Sequence, residues 1–463
     1  MSNPADRWAI SIRASTRPAY LALADAIGED IQSGKLAAHQ HLPPLRDLAR
    51  ALDLNFTTVA RGYAEAKQRG LVDAKAGRGT MVREYVPTPV HRPSAISHLD
   101  MTMNFPPEPQ DRRLVQQIRD GFASLASQPD LYDLLRYQEF GGEFADREAG
   151  AEWLAAYLPG VTASRVLVSP GIQSAILGLF ASLARPGDTI ACEAVTYPGV
   201  KGIAAQLGLR LVGLPLDDDG LDPEAFAALC RADPPKALYC NPTLLNPTTA
   251  TLSQSRREAV VEIARAYSVP IIEDDAYGAL PATRPTALAA LAPELTFYIG
   301  GFAKILGAGL RIGYIATPNV RYTARISATL RTLMIMASPL TIRLATRFIG
   351  DGTVQASTLA IREEARYRQK IAAQVITRST FVSKPDAFHL WLSVPAPWTR
   401  VEFANHLRAN GVGVIVSDTF TVTGTPQSAV RVGLGGPNSR EECRHMLEII
   451  DDALEYLPAA AAQ

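Results

Sequence analysis

From Leu99 to the C-terminus, short apolar runs alternate with amphipathic stretches of helical spacing. That alternation leaves few folds open. Strands separated by helices pair side by side and in parallel, which gives an α/β domain with a mainly parallel sheet. The runs that read as strands are Val166–Ser169, Thr189–Cys192, Ala237–Cys240, Pro270–Glu273, Phe297–Ile299 and Ile312–Ala316. No internal repeat of fixed period is present. At 463 residues the chain is too long for one ordinary core, so two or three compact units are expected.

Upstream of that domain the pattern changes. Residues 84–98 carry Pro87, Pro89 and Pro93 and little apolar periodicity, the composition of a stiff linker. Residues 1–83 hold 12 Lys and Arg against 8 Asp and Glu, while the chain as a whole is balanced at 46 and 46. A basic head on a slightly acidic body suits a polyanionic partner for the head. Cys192, Cys230, Cys240 and Cys443 form no Cys-x-x-Cys pair and have no His at metal spacing, so they read as reduced thiols of a cytoplasmic protein with no metal site. The N-terminus has no apolar signal core, and no charge-free run of 18 apolar residues suggests a membrane span. The tail Ala459–Ala462 reads as a frayed helix end.

Within the head, Tyr20, Leu21, Ala24, Ile27 and Ile31 lie at helical spacing up to Ser33-Gly34. A second helix holds Leu45, Leu48, Ala49 and Leu52, and a turn at Asp53-Leu54-Asn55 leads to a third helix from Phe56 to about Arg69, with Val59 and Tyr63 inward. A Gly-flanked turn, Gly77-Arg78-Gly79, then joins two short β segments. Helix, helix, tight turn, helix and hairpin make a winged helix-turn-helix, whose third helix can enter a major groove. Asn55, Thr57, Thr58 and Arg61 are its outward polar residues, Arg46 is placed to meet the backbone, and Arg78 at the wing tip can reach a phosphate or the minor groove. From Pro18 to Val82, with LPPLRDLARALDLNFTTVARGYAEAKQRGLV and GRGTMV, the segment resembles the GntR family of bacterial regulators.

The sharpest chemical signal lies further on, in Gly300-Gly301-Phe302-Ala303-Lys304 followed by Gly309-Leu310-Arg311-Ile312-Gly313. A lysine among small residues after a strand, with an arginine seven positions on, suits a Schiff-base site for a flat phosphorylated ring. Glu273-Asp274-Asp275 close an apolar strand with carboxylates, one of which could keep a pyridine nitrogen protonated, and Tyr277 just beyond could donate to a ring oxygen. Asn246, in Asn246-Pro247-Thr248, offers an amide to the same oxygen. Ser169-Pro170-Gly171-Ile172-Gln173 opens a helix whose free N–H groups suit a phosphate.

In this order the motifs look like the class I/II aminotransferases of fold-type I, over nearly all of Leu99–Leu457. The resemblance implies a mainly parallel central sheet with a smaller C-terminal α/β subdomain, and pyridoxal 5'-phosphate as cofactor. It assigns Lys304 to an internal aldimine, Asp274 to the pyridine nitrogen, and Tyr277 and Asn246 to the ring oxygen. Arg311, Ile172, Gln173 and nearby amides would hold the phosphate, Tyr197 would stack on the ring, and Tyr137 would approach the cofactor phosphate of a neighbouring subunit. Arg431 would bind an amino-acid carboxylate bidentately. The sequence departs from the family at Gly301 and Ala303, where serines are usual, at Ile172, where a hydroxyl residue is usual, and at Thr249, where glycine is usual.

A GntR-type head (1–83), a linker (84–98) and an aminotransferase-like domain (99–463) resemble the MocR subfamily of bacterial regulators over essentially the full chain. The resemblance implies a cytoplasmic homodimer that binds operator DNA and senses pyridoxal phosphate or an amino compound through an aldimine at Lys304. The alternative is an active aminotransferase with an accessory DNA-binding head.

Overall fold

The computed structural model describes residues 4–15, 18–33, 35–37, 39–68, 71–75, 79–82 and 100–455. The chain divides into two compact units, Met1–Ala95 and Ile96–Gln463. The expected linker 84–98, Gly34, Arg78 and the tail Ala459–Ala462 lie outside the described residues.

Among the described residues the first unit has four helices, α1 (Pro4–Ala14), α2 (Ala19–Gln32), α3 (Leu45–Leu52) and α4 (Phe56–Gln68), and a hairpin of β1 (Val72–Lys75) and β2 (Gly79–Val82). Its core joins Leu23, Ile27, Leu48, Leu52, Val59, Tyr63 and Val82; of the positions read from the helical spacing, Ala24, Ile27, Ile31, Leu48, Ala49, Leu52, Val59 and Tyr63 are buried, whereas Tyr20, Leu21 and Leu45 are half-buried. Helices α2 and α4 cross closely at Gly62, where a Cβ would stand 2.8 Å from the Leu23 side chain. The turn before α4 passes through Asp53 in the left-handed region (φ 52°), and Asn55 caps α4, its Oδ1 accepting from the Thr57 amide at 3.0 Å. Helix α1 is an addition to the three-helix reading. It docks by burying Trp8, whose Nε1 donates to Asp30 at 3.0 Å beside the Arg7–Asp30 ion pair at 2.8 Å.

The second unit is built on a seven-stranded sheet. Its strands are β3 (Val166–Ser169), β4 (Thr189–Glu193), β5 (Arg210–Leu214), β8 (Ala237–Cys240), β9 (Ile271–Asp274), β10 (Thr296–Gly301) and β11 (Gly313–Ala316), with a small hairpin, β6 (Leu216–Asp217) and β7 (Gly220–Leu221), between. The order is β3-β11-β10-β9-β8-β4-β5. Every pair is parallel except those made by β11, which runs against both β10 and β3. The sheet is therefore mixed by one strand. The six strands read from the sequence are all present with ends moved by up to two residues. Strand β5 was not among them, because Gly213 and the exposed Arg210 weaken its apolar run. A second, antiparallel sheet of β12 (Phe381–Val382), β13 (His389–Ser393), β14 (Ile415–Val416) and β15 (Ala429–Gly433), in the order β12-β13-β15-β14, forms the smaller C-terminal layer with its own core.

Helices α5 (Arg112–Ala126), α6 (Phe144–Ala155) and α7 (Ile172–Leu183) follow the entry to this unit. Helix α6 approaches β11 at Gly150, where a Cβ would sit 2.4 Å from the Tyr314 ring. That ring is fully buried and packed against Trp153 and Phe302, so it cannot yield. Gly150→Ala is therefore expected to destabilise the chain by about 1–3 kcal/mol. Urea unfolding would show a lowered midpoint at unchanged slope.

Candidate functional site

Parallel strands share one carboxyl edge, and the connections that leave it converge there. Strand β3 hands over to Pro170-Gly171 and the N-terminus of α7, β4 to Tyr197, β8 to Asn241 and Asn246, β9 ends on Asp274, and β10 leads to Lys304. Strand β11, being antiparallel, begins at that edge, which brings Arg311 to it as well. The result is a cavity of about 240 Å³. Eight of the residues assigned from sequence line it: Ile172, Gln173, Tyr197, Asn246, Asp274, Tyr277, Lys304 and Arg311.

Lys304 occupies a π-helical turn, Ala303–Gly307, directly after β10. Its Nζ donates to the Asn104 carbonyl at 2.5 Å and lies 5.6 Å from the centre of the Tyr277 ring. Burial, reinforced by the Arg431 cation and opposed by Asp274, lowers its pKa to about 7. The carboxylates at the end of β9 sort by strand alternation. Glu273 meets Arg257 and Asp275 meets Arg284, in buried pairs away from the cavity. Asp274 faces the cavity, where Tyr239 Oη donates to its Oδ2 at 2.6 Å and the Ala276 amide to its Oδ1 at 3.3 Å. Burial raises Asp274 to about 6 against these two hydrogen bonds.

Asn246 Oδ1 accepts from Arg431 Nη1 at 2.9 Å, which leaves the Asn246 Nδ2 as the end of the amide free to donate. Arg431, on β15, is buried. Its Nη2 donates to the Thr102 carbonyl, its guanidinium lies over the Phe420 ring, and its Nε has no partner. Arg311 sits in the left-handed region (φ 51°) beneath Gly171, where a Cβ would come within 2.9 Å of its guanidinium. Only glycine lets the α7 N-terminus and this cation share the spot. Tyr137 does not line the cavity. It is 76% exposed.

Four further residues hold the site; the sequence assigned none of them a role, although Tyr239 and Asn241 stand in the run Tyr239-Cys240-Asn241-Pro242 that leads to Asn246. Asn241 ties three elements together, with Nδ2 donating to the Asp274 carbonyl, Oδ1 accepting from the Asn246 amide and its own amide donating to Glu193. Tyr239 orients Asp274. Asn104 and His389 meet Tyr277 from opposite ends of the unit's sequence: Asn104 Nδ2 donates to Tyr277 Oη at 2.8 Å and lies 3.1 Å from His389 Nδ1. A strand alternation pattern could have flagged His389 as a buried polar position on β13, but Asn104 lies in a segment without regular structure.

In the first unit, Arg46 is exposed in the first turn of α3, and Asn55, Thr57 and Arg61 are exposed at or along the start of α4, with Thr58 half-buried. Thr57 Oγ1 donates to Asn55 Oδ1 at 2.9 Å, so both are engaged in capping the helix. The Arg61 guanidinium lies 4.2 Å from the centre of the Tyr20 ring.

Two family models match the chain: aminotransferase class I and II over residues 98–450, and the gntR family of bacterial regulatory proteins over residues 19–82. The chain belongs to the GntR-type regulators fused to a class I and II aminotransferase domain, the MocR-like architecture. It is 30% identical over 454 residues, 97% of each chain, to the uncharacterized HTH-type transcriptional regulator YdeF of Bacillus subtilis. It is 26% identical to the vitamin B6 salvage pathway transcriptional repressor PtsJ of Salmonella typhimurium, over 90% of this chain and 94% of that protein. Among solved structures, the α-aminoadipate aminotransferase LysN of Thermus thermophilus, complexed with N-(5'-phosphopyridoxyl)-L-leucine, matches with a TM-score of 0.69 at 20% identity, over 77% of this chain and 92% of that one. The kynurenine aminotransferase of Pyrococcus horikoshii matches with a TM-score of 0.70 at 19% identity, over 77% and 90%. The large unit thus has the aminotransferase fold expected from its motifs.

The lowered pKa of Lys304 has a consequence for this MocR-like chain by itself. An unfolded lysine holds its proton up to 10.5 and the folded one only to about 7. Between those values the unfolded chain binds more protons, so folding stability rises with pH across that window. Urea unfolding of the ligand-free chain, compared with Lys304→Met at each pH, should show the wild type gaining relative stability from about 7 towards 10.5. A flat difference would place Lys304 in water.

Proposed function

We propose that the protein is a transcriptional regulator that binds DNA through its winged helix and pyridoxal 5'-phosphate through Lys304, reading the cofactor itself or an amino compound that combines with it. The observation that carries this reading is Lys304: a half-buried lysine whose pKa is lowered to about 7, in one cavity with Asp274 and Arg311, on the same chain as a GntR head. The donor set fits the cofactor. Asp274 offers a carboxylate, Arg311 and the first amides of α7 a phosphate site cradled by Gly171, and Asn246 and Tyr277 two hydrogen-bond donors. Bound there, pyridoxal phosphate would supply an aldehyde for an amine and a pyridinium ring able to accept electron density.

The residues divide the work. Lys304, being partly uncharged near neutrality, has the free electron pair that a nucleophile needs. Asp274, buried and fixed by Tyr239, would supply the negative charge for a ring nitrogen. Ile172 and Gln173, at the start of α7, would offer backbone amides to the phosphate, and Tyr197, which lines the cavity, would serve as its aromatic wall. Arg431, with an unpartnered Nε, would take an effector carboxylate. Tyr137, being exposed, is available to a second copy in a homodimer. In the head, Arg46 and Arg61 would meet phosphates, with Asn55, Thr57, Thr58 and Arg78 as further DNA contacts and 84–98 as linker. A ligand that binds one arrangement of the dimer more tightly shifts how two heads meet two half-sites. The name of the relative PtsJ is consistent with such a role.

Addition of pyridoxal phosphate to the purified chain should give a visible absorbance band that borohydride bleaches and that Lys304→Ala lacks. A wild-type chain without the band would sink the cofactor reading. DNA binding should be sequence-specific and salt-sensitive. Replacing Arg46 and Arg61 together with alanine should weaken it about tenfold or more and reduce the salt slope by roughly two. Unchanged binding would remove these contacts. The set Lys304, Asp274 and Arg431 also favours a second reading, an aminotransferase with an accessory head. Turnover of an amino donor with a 2-oxo acid at ordinary metabolic rates would select it.

A further inference from the structure

We infer that His389 and Asn104 are positioning residues that fix the direction of hydrogen bonding at Tyr277, so that its hydroxyl proton is left to point to the ligand. The inference deepens the cofactor reading above and rests on it for the identity of that ligand.

The relay starts at Leu245. Its carbonyl lies 3.4 Å from His389 Nε2. A carbonyl has no proton to give, so Nε2 must carry one and the lone pair of a neutral ring falls on Nδ1. The ring is fully buried, and burial together with the Arg431 and Lys304 cations lowers its pKa to about 3, so it stays neutral throughout the working range. A bare Nδ1 needs a donor, and the group 3.1 Å away is the Asn104 amide. That fixes the amide, since the flipped arrangement would set an oxygen against the Nδ1 lone pair. Asn104 Nδ2 then faces Tyr277 Oη at 2.8 Å with its second proton. Tyr277 Oη is thereby an acceptor towards Asn104, and its own proton is committed to nothing on that side. Each link sets the next, from a backbone carbonyl to a phenol in the cavity wall.

The same logic operates on the other expected donor. Arg431 has only protons to offer, so Asn246 turns its Oδ1 to the guanidinium and its Nδ2 away. Two independent relays, one ending at Tyr277 and one at Asn246, leave donors rather than acceptors at the same cavity. A ligand oxygen bearing negative charge is what such a pair selects. The charged and titratable groups around Tyr277 are Lys304, Arg431, Asp274 and Tyr197, and burial keeps the phenol protonated.

The test uses the full chain loaded with pyridoxal phosphate and reads the pH midpoint at which its visible band titrates. A proton donated to the ring oxygen stabilises the anionic form, so losing it raises the midpoint, by about one pH unit for one hydrogen bond. Tyr277→Phe should do this directly. Asn104→Leu should do so through Tyr277 and should add nothing in the Tyr277→Phe background. His389→Leu should shift the midpoint upward, whereas His389→Asn, whose side-chain oxygen falls near the Nδ1 position, should restore it. Equal shifts for Asn104→Leu with and without Tyr277, or equal behaviour of the two His389 variants, would overturn the relay. Nitrogen NMR of His389 in the ligand-free wild-type chain needs neither variant nor cofactor. It should show a protonated Nε2 and a bare Nδ1 across the neutral range, and the opposite tautomer would overturn the relay. If the wild-type chain shows no band, the cofactor reading falls and the tautomer alone decides the relay.

Discussion

A charged amine is stable inside a protein only when something compensates for the water it has lost; otherwise it surrenders its proton. Lys304 is held at that balance. The Asn104 carbonyl gives it one hydrogen bond and Asp274 a negative potential, while Arg431 pushes the other way. Much of the site follows from this arrangement. Asp274 must itself be buried to act on Lys304, which requires Tyr239 and the Ala276 amide to hold it ionisable. Arg431 must be immobilised to spare the pocket a loose cation, which requires Asn246 and the Thr102 carbonyl. The parallel sheet is what makes this affordable, because one edge collects the ends of five strands.

The parts legible in the sequence were those with local signatures. Helical spacing located α2, α3 and α4, and apolar runs located six of the seven large-sheet strands. The lysine and arginine after β10, the aspartate ending β9 and the asparagine after β8 each stand at a strand end, and strand ends in such sheets gather. Residues whose role depends on distant partners left no such mark. Asn104 precedes Tyr277 by 173 positions and His389 by 285. Asn241 looks like any polar residue after a strand until its three bonds are seen. Helix α1 is not legible because its docking depends on Asp30, an acidic residue in the last turn of α2 that receives both Trp8 and Arg7.

The departures from the family pattern take on physical meaning. At Gly301 a Cβ would lie 2.7 Å from the Ile312 carbonyl and 3.2 Å from the Ile172 side chain, so the usual serine has no room in this backbone and Ile172 occupies the adjoining space. The two substitutions are parts of one packing solution. At Thr249 the backbone keeps the left-handed conformation that glycine would favour, with φ at 61° and a buried hydroxyl lacking a partner. A β-branched residue there carries strain of about 1–2 kcal/mol. Nothing in the structure explains Ala303.

The stretch from Asp100 to Pro106 has no helix or extended strand of its own, yet it forms a wall of the cavity. It pairs with Gly433 through the Met101 carbonyl, receives Arg431 at Thr102 and Lys304 at Asn104, and lies so close to Gly435 that a Cβ there would strike the Phe105 carbonyl. The place to cut this gene for an isolated aminotransferase-like fragment is therefore not the start of α5 at Arg112, where regular structure resumes. A fragment begun there would lack a wall of its own pocket, and the lysine would lose its hydrogen-bond acceptor.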